Sequence, residues 1–257
     1  MKRILVLTFL MLFAPLVAGC DDAPDKPENP GEAAMVSNDL LQFDYKYPAK
    51  YDEIEDVQNW LRADKKMSYE DYMKKAEEGK SDNEINNIPF KQHVFTKKWD
   101  VTADTAGLYA ITSETYNMMG GANGQTTHDT LVWSKAEQKF LITPQIFEKP
   151  LEFIDMIRPA FCEGLEEQRA EKRIGTEATK TDAPTPKEDE EDPFETCPAL
   201  GQFAIIPFAG GQTITGFNVY VPAGKAGPMS EGTYIIHLIV TEDIINNARA
   251  IYISDFK

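Results

Sequence analysis

The chain reads as an α+β protein with antiparallel sheets, helices packed on one face, and two consecutive modules. Three observations predict this. Segments of period two, rich in aromatic and β-branched residues, fall in two groups, one ending at Trp133 and one beginning at Phe203. Apolar residues at helical spacing lie before and between these groups without regular alternation, which excludes a doubly wound parallel sheet. Glycine-rich stretches sit where neighbouring strands need a connection.

The first twenty residues, MKRILVLTFLMLFAPLVAGC, combine two cations, an apolar run from Ile4 to Ala18 and small residues before a cysteine. This is the pattern of a lipoprotein signal peptide over 1–19, with Cys20 as the acylated new N-terminus. As a helix the apolar run rises about 22 Å, short of the roughly 30 Å hydrocarbon core. A lipid anchor on the periplasmic side of a bacterial membrane is therefore expected, and Asp21 after the cysteine points to the inner membrane over the outer. Residues 20–37, rich in proline and acids, are expected to be a disordered tether.

Structure is expected from residue 38. LLQFDYKYP alternates as a strand, and Ile54, Val57, Trp60 and Leu61 recur at helical spacing. A second helix is expected to start at Ser68, with Asp71 as part of its cap, and to stop between Gly79 and Asn87. Three strands follow, near Phe90–Val101, Tyr109–Tyr116 and Thr127–Trp133, as a meander. Pro150 suits a first helical position, and Ile154, Ile157, Phe161 and Leu165 trace one apolar face. Pro159 is expected to kink or restart that helix. Strands near Phe203–Phe208, Gly216–Val221 and Thr233–Val240 follow, then a short helix capped by Thr241. The modules divide as 38–134 and 135–257.

The net charge of −16 opposes nucleic-acid binding and favours cationic partners. Beyond Cys20 the cysteines are Cys162 and Cys197, an even number for an oxidising compartment, and a disulfide between them is expected. The loop 175–193 between them is polar and acidic and should stay solvated.

No catalytic or metal-binding spacing surrounds His93, His128 or His237, which read as sheet histidines, and no cofactor motif is present. Scattered carboxylates such as Asp100 and Asp104 leave open a hydrolase reading. Gly120, Gly121, Asn123 and Gly124 form one candidate ligand loop, and the stretch Ala223 to Gly232, with Gly227 and Pro228, forms another. For both, a plain turn is the competing reading. A single concavity bounded by the two loops would favour binding, and a flat surface a purely structural role.

SETYNMMGGANG, then a strand and ITPQIF before a helix, resembles the extracytoplasmic domain pair shared by RsiV-type anti-sigma factors and PdaC-type peptidoglycan deacetylases. FNVYVPAGKAGPMSEGTYIIHLIV resembles the second half of that pair, so the resemblance spans Leu40 to Tyr252. It implies an α+β envelope module, lysozyme binding in sensor members, and catalysis in a separate domain in the deacetylases. Asn123 stands where the family commonly has His, and Met229 where it commonly has Tyr. The expectation is a non-catalytic, lipid-anchored module that binds a basic envelope protein, such as a lysozyme-type muramidase, or a cell-wall glycan. The alternative is a peptidoglycan-acting hydrolase or deacetylase that uses carboxylates.

Overall fold

The computed structural model describes residues 34–47, 54–121, 123–174 and 194–257. The leader 1–19, Cys20 and the acidic loop 175–193 lie outside the described residues. Six strands form the first sheet in chain order: β1 (Ala34–Ser37), β2 (Leu41–Lys46), β3 (His93–Asp104), β4 (Leu108–Met118), β5 (Gln125–Ser134) and β6 (Lys139–Leu141). All neighbours are antiparallel except β2 and β3, which run parallel and are joined through helix α1 (Glu55–Ile85). Strands β7 (Ala204–Gly210), β8 (Thr213–Val221) and β9 (Tyr234–Ile239) form a second, antiparallel sheet. Helix α2 (Pro150–Ile174), helix α3 (Glu242–Asn247) and short 3₁₀ segments, the last of them Ala250–Phe256, make up the other regular elements among the described residues.

The strands follow from their alternation. In β2, Leu41, Phe43 and Tyr45 are buried while Gln42 and Lys46 are exposed. Together with Phe95, Trp99, Tyr109, Ile111, Leu131 and Trp133 they meet Val57 and Leu61 of α1 in one core. The residues between them face the other way. Leu108, Ala110 and Val132 join a second core with Phe153, Ile157, Phe161 and Leu165 of α2 and with Phe217, Val219 and Ile236 of the second sheet. The middle of the first sheet is thus buried on both faces, with α1 on one and the second module on the other.

Three local expectations need correction, and one is narrowed. A single 31-residue helix replaces the two expected over 54–87. Its middle, RADKKMS, holds neither Gly nor Pro, and Lys66–Glu70, Asp71–Lys75 and Lys74–Glu78 are spaced to support continuous helix. Ser68 is therefore an interior residue and not a cap. Ala34–Ser37, expected within the tether, pair with β2 as an edge strand. The kink or restart expected at Pro159 narrows, because the proline lies inside α2 and the helix does not restart there. Arg158, Pro159 and Ala160 are solvent-facing, so water can satisfy the carbonyl that the proline ring leaves without its helical partner. Strand β6, past residue 134, extends the first sheet by one strand beyond the expected meander.

The closing segment is tied back to the β5–β6 turn of the first sheet. Arg249 makes a two-pronged ion pair with Glu137 at 2.7 and 2.9 Å, and Tyr252 donates to Glu137 at 2.6 Å. Hydrogen bonds from Arg249 and then Tyr252 hold the Glu137 carboxyl well below the ordinary carboxylate range. A depressed folded-state pKa stabilises the fold above the unfolded value, and that contribution is lost as pH falls below about 4.3. Urea midpoints measured from pH 6 to pH 3 should therefore fall in wild type. In Glu137→Gln they should start lower and fall less steeply; parallel curves would contradict the assignment.

Candidate functional site

Two walls from opposite halves of the chain enclose an open groove of about 880 Å³. One wall is the start of β5, with Asn123, Gly124, Gln125, Thr126 and Thr127. The other is the connection from β8 to β9, with Pro222, Ala223, Lys225, Met229, Ser230, Gly232 and Thr233. Residues with hydroxyl or amide side chains line it beside Pro222, Ala223 and Met229, and most of the exposed lining is apolar.

The first wall is shaped by the β4–β5 turn. Gly120 adopts φ 76°, a left-handed conformation that favours glycine. At Gly124 an added Cβ would lie 2.3 Å from the Tyr116 ring, so glycine there lets the ring cover the backbone. Of the four candidate residues in this loop, Asn123 and Gly124 line the groove. Gly120 and Gly121 are not among its lining residues and belong to the turn that positions them.

The second wall is held from beneath by cations on the last turns of α2. Arg169, 2 % exposed, donates from Nε to the Ala226 carbonyl at 2.7 Å. Lys172 donates to the carbonyls of Glu231 and Thr233 at 2.8 and 2.6 Å, and its ammonium lies 4.1 Å from the Tyr234 ring centroid. Arg173 pairs with Glu231 at 3.1 Å, and Tyr234 donates to the same carboxylate. Burial works against charge on Glu231, but the bonds from Tyr234 and Arg173 prevail and keep it below the ordinary range. Burial and the Glu231 contact push the Tyr234 hydroxyl up to about 12.

Gly227 is buried beneath this wall, and Pro228 is exposed on the same connection but outside the lining. A Cβ at Gly227 would stand 2.1 Å from the Tyr234 oxygen and 2.4 Å from the nearer Glu231 oxygen. Gly227→Ala should therefore destabilise the protein by about 2 kcal/mol through overpacking. A urea midpoint unchanged from wild type would count against this packing.

The sequence pattern did not single out the cations. Their one signal was that the apolar face of α2 continues from Leu165 into Arg169 at helical spacing.

A ring stack ties the walls together. His128 of β5 lies against Tyr220 of β8, with centroids 4.1 Å apart and planes 27° from parallel. Its Nε2 is 3.6 Å from Glu114, but desolvation prevails and lowers its pKa. His93 is buried near Gly79 and Gly120, and burial likewise lowers its pKa. His237, in contrast, is exposed on the second sheet with Nδ1 2.6 Å from Asn218.

The carboxylates considered for catalysis do not converge. A bulge between Val101 and Ala103 breaks the alternation of β3, so that Trp99 and Val101 pack toward α1 while Ala103 packs toward the second module. Asp100 and Asp104, four apart, are thereby placed on opposite faces of the sheet. Asp100 pairs with Lys98 at 2.8 Å and Asp104 with Lys135 at 2.7 Å. Asp104 and Lys135 border a smaller pocket of about 470 Å³ with Trp133, Gln138 and the start of α1. Among the described residues no three His, Cys, Asp or Glu side chains are grouped to hold a metal ion, and no helix is long and apolar enough to cross a membrane.

The family described as Deacetylase PdaC matches residues 35–126. This segment is similar to the PdaC domain. It covers β2 to β4, all of α1 and the β5 wall of the groove as far as Thr126, while Thr127 and the β8–β9 wall lie beyond it. The chain is also similar in structure to a DUF3298 family protein from Pseudomonas aeruginosa PAO1, at 12% identity, with 86% of this chain and 93% of that one covered and a TM-score of 0.49. A DUF3298 family member from Bacteroides fragilis NCTC 9343 shows 13% identity, coverage of 86% and 98%, and a TM-score of 0.46. No curated protein matches the chain.

Proposed function

We propose that this chain is a non-catalytic module of the bacterial cell envelope that binds an envelope protein or a cell-wall glycan in the groove between β5 and the β8–β9 connection. One observation carries the reading: the two glycine-rich loops, distant in sequence, bound a single groove whose lining includes residues with hydroxyl and amide side chains among a mostly apolar surface. The lipoprotein-type leader supports anchoring through Cys20 on the periplasmic side, and Asp21 supports the inner membrane. The charge of −16 supports a basic protein partner, a lysozyme-type muramidase being one, drawn in by electrostatic steering that salt weakens.

The test is a titration of the mature protein with a lysozyme-type muramidase and with soluble peptidoglycan fragments, at low and at physiological salt. Binding of at least one, lost in Thr126→Arg/Ser230→Arg, is the expected result. Absence of binding, or binding indifferent to both substitutions, contradicts the proposal. A change in the muropeptide profile on incubation with purified protein would replace it with the hydrolase or deacetylase reading.

A further inference from the structure

We infer that the groove receives an extended polypeptide segment that adds as a strand beside β5 and sets a carboxylate against Lys225. The inference rests on the groove being the ligand site and names what that site takes.

The edge of β5 is its first support. β5 pairs with β4 along its length, but on its other side β6 reaches only Val132, Trp133 and Ser134. From Gln125 to Leu131 that side has no strand partner among the described residues. Such an edge offers main-chain donors and acceptors that an added strand can use.

The second support is where the groove runs. Gln125, Thr126 and Thr127 all line it, although consecutive strand residues point to opposite faces. A groove bordered by three in succession follows the backbone edge. The opposite wall leaves room beside that edge for an extended chain.

The chemistry of the lining selects the occupant. It has no aromatic side chain among the described residues, so the flat apolar surface on which a sugar ring could stack is missing from its walls. Hydroxyls, amides and strand backbone suit a peptide main chain. Lys225 is the one charged lining side chain among the described residues; it is exposed and has no ion pair among them. The acid on the same connection, Glu231, is already engaged by Tyr234 and Arg173. The groove therefore presents a local positive charge on an acidic protein, and a carboxylate complements it. A basic partner meets the field of the whole molecule, and an acidic segment of it meets Lys225.

The experiment uses the full mature chain and three labelled probes. These are a Thr/Val heptapeptide with a central Asp, its central-Lys counterpart, and the Asp peptide N-methylated at alternate amides. Fluorescence anisotropy should give at least tenfold tighter binding for the Asp peptide than for either other probe. In Lys225→Glu the order of the Asp and Lys peptides should reverse. Equal binding of the Asp and Lys peptides, or full binding of the methylated one, overturns the inference. If glycan chains free of stem peptide bind, lose binding in Thr126→Arg/Ser230→Arg, and no peptide binds, the inference fails while the groove remains the ligand site. If peptides, glycans and muramidase all ignore those substitutions, both readings fail.

Discussion

Trp99→Ala is expected to lower the unfolding free energy by about 4 kcal/mol, a large share of what a domain of this size possesses. Trp99 is 1% exposed, donates from its indole nitrogen to Tyr45 at 2.8 Å, and meets Trp60 edge-on at 5.5 Å. Its removal leaves a cavity between β3 and α1. It also strips a donor from Tyr45, whose hydroxyl donates to Asp64 at 2.5 Å, while Lys97 pairs with Asp64 at 2.9 Å. Burial already pushes the Tyr45 pKa far up, so the neutral hydroxyl must keep its partners. Trp99→Phe fills most of the space without the donor and should cost less than half as much. Chemical denaturation distinguishes the two, and equal losses would mean that the missing indole hydrogen bond, rather than the cavity, sets the cost.

The Cys162→Ser/Cys197→Ser variant should lose a comparable amount, about 4 kcal/mol in the chain-entropy account. The bridge joins the middle of α2 to the segment entering the second sheet, closing a loop between cysteines 35 positions apart. Without it, that whole loop is free in the unfolded ensemble. Arg158, whose guanidinium contacts the carbonyls of Cys197 and Pro198 at 3.3 and 3.4 Å, is too exposed to substitute for it. Denaturation of the oxidised wild type against the double variant measures the difference. Non-reducing mass spectrometry should find Cys162 joined to Cys197, and two free thiols in protein from an oxidising compartment would contradict the bridge.

How much of this was legible depended on whether a feature is local. The alternation of LLQFDYKYP and of the three strands before Trp133 places their side chains without reference to anything distant, and all four strands are present, β3 three residues later at both ends than Phe90–Val101. Thr241 capping α3 is equally local: its hydroxyl accepts from the Ile244 amide. The unbroken α1 is easily misread because a serine with an acid three residues on resembles a cap, and only the absence of a breaker argues for continuity. The bulge in β3 leaves no mark in the residues around Thr102, yet it decides that Asp100 and Asp104 part company.

At the groove the glycine loops were visible, but their juxtaposition was not. It depends on His128 meeting Tyr220 and on Arg169, Lys172 and Arg173 reaching the β8–β9 connection, contacts between segments far apart in sequence. A buried arginine such as Arg169 contradicts composition-based expectation unless its partners are known. Several glycines that looked like ligand contacts, Gly120 and Gly227 among them, instead shape the walls.

If one groove, built by both halves of the chain, is the ligand site, both of its walls must respond to the same titration. The most direct measurement is amide chemical-shift mapping of the ¹⁵N-labelled mature protein titrated with the muramidase and with the Asp heptapeptide. Perturbations are expected in both 123–127 and 222–233, saturating together. Perturbations confined to one loop, or centred on the exposed face of α1 or the pocket beside Asp104 and Lys135, would contradict it.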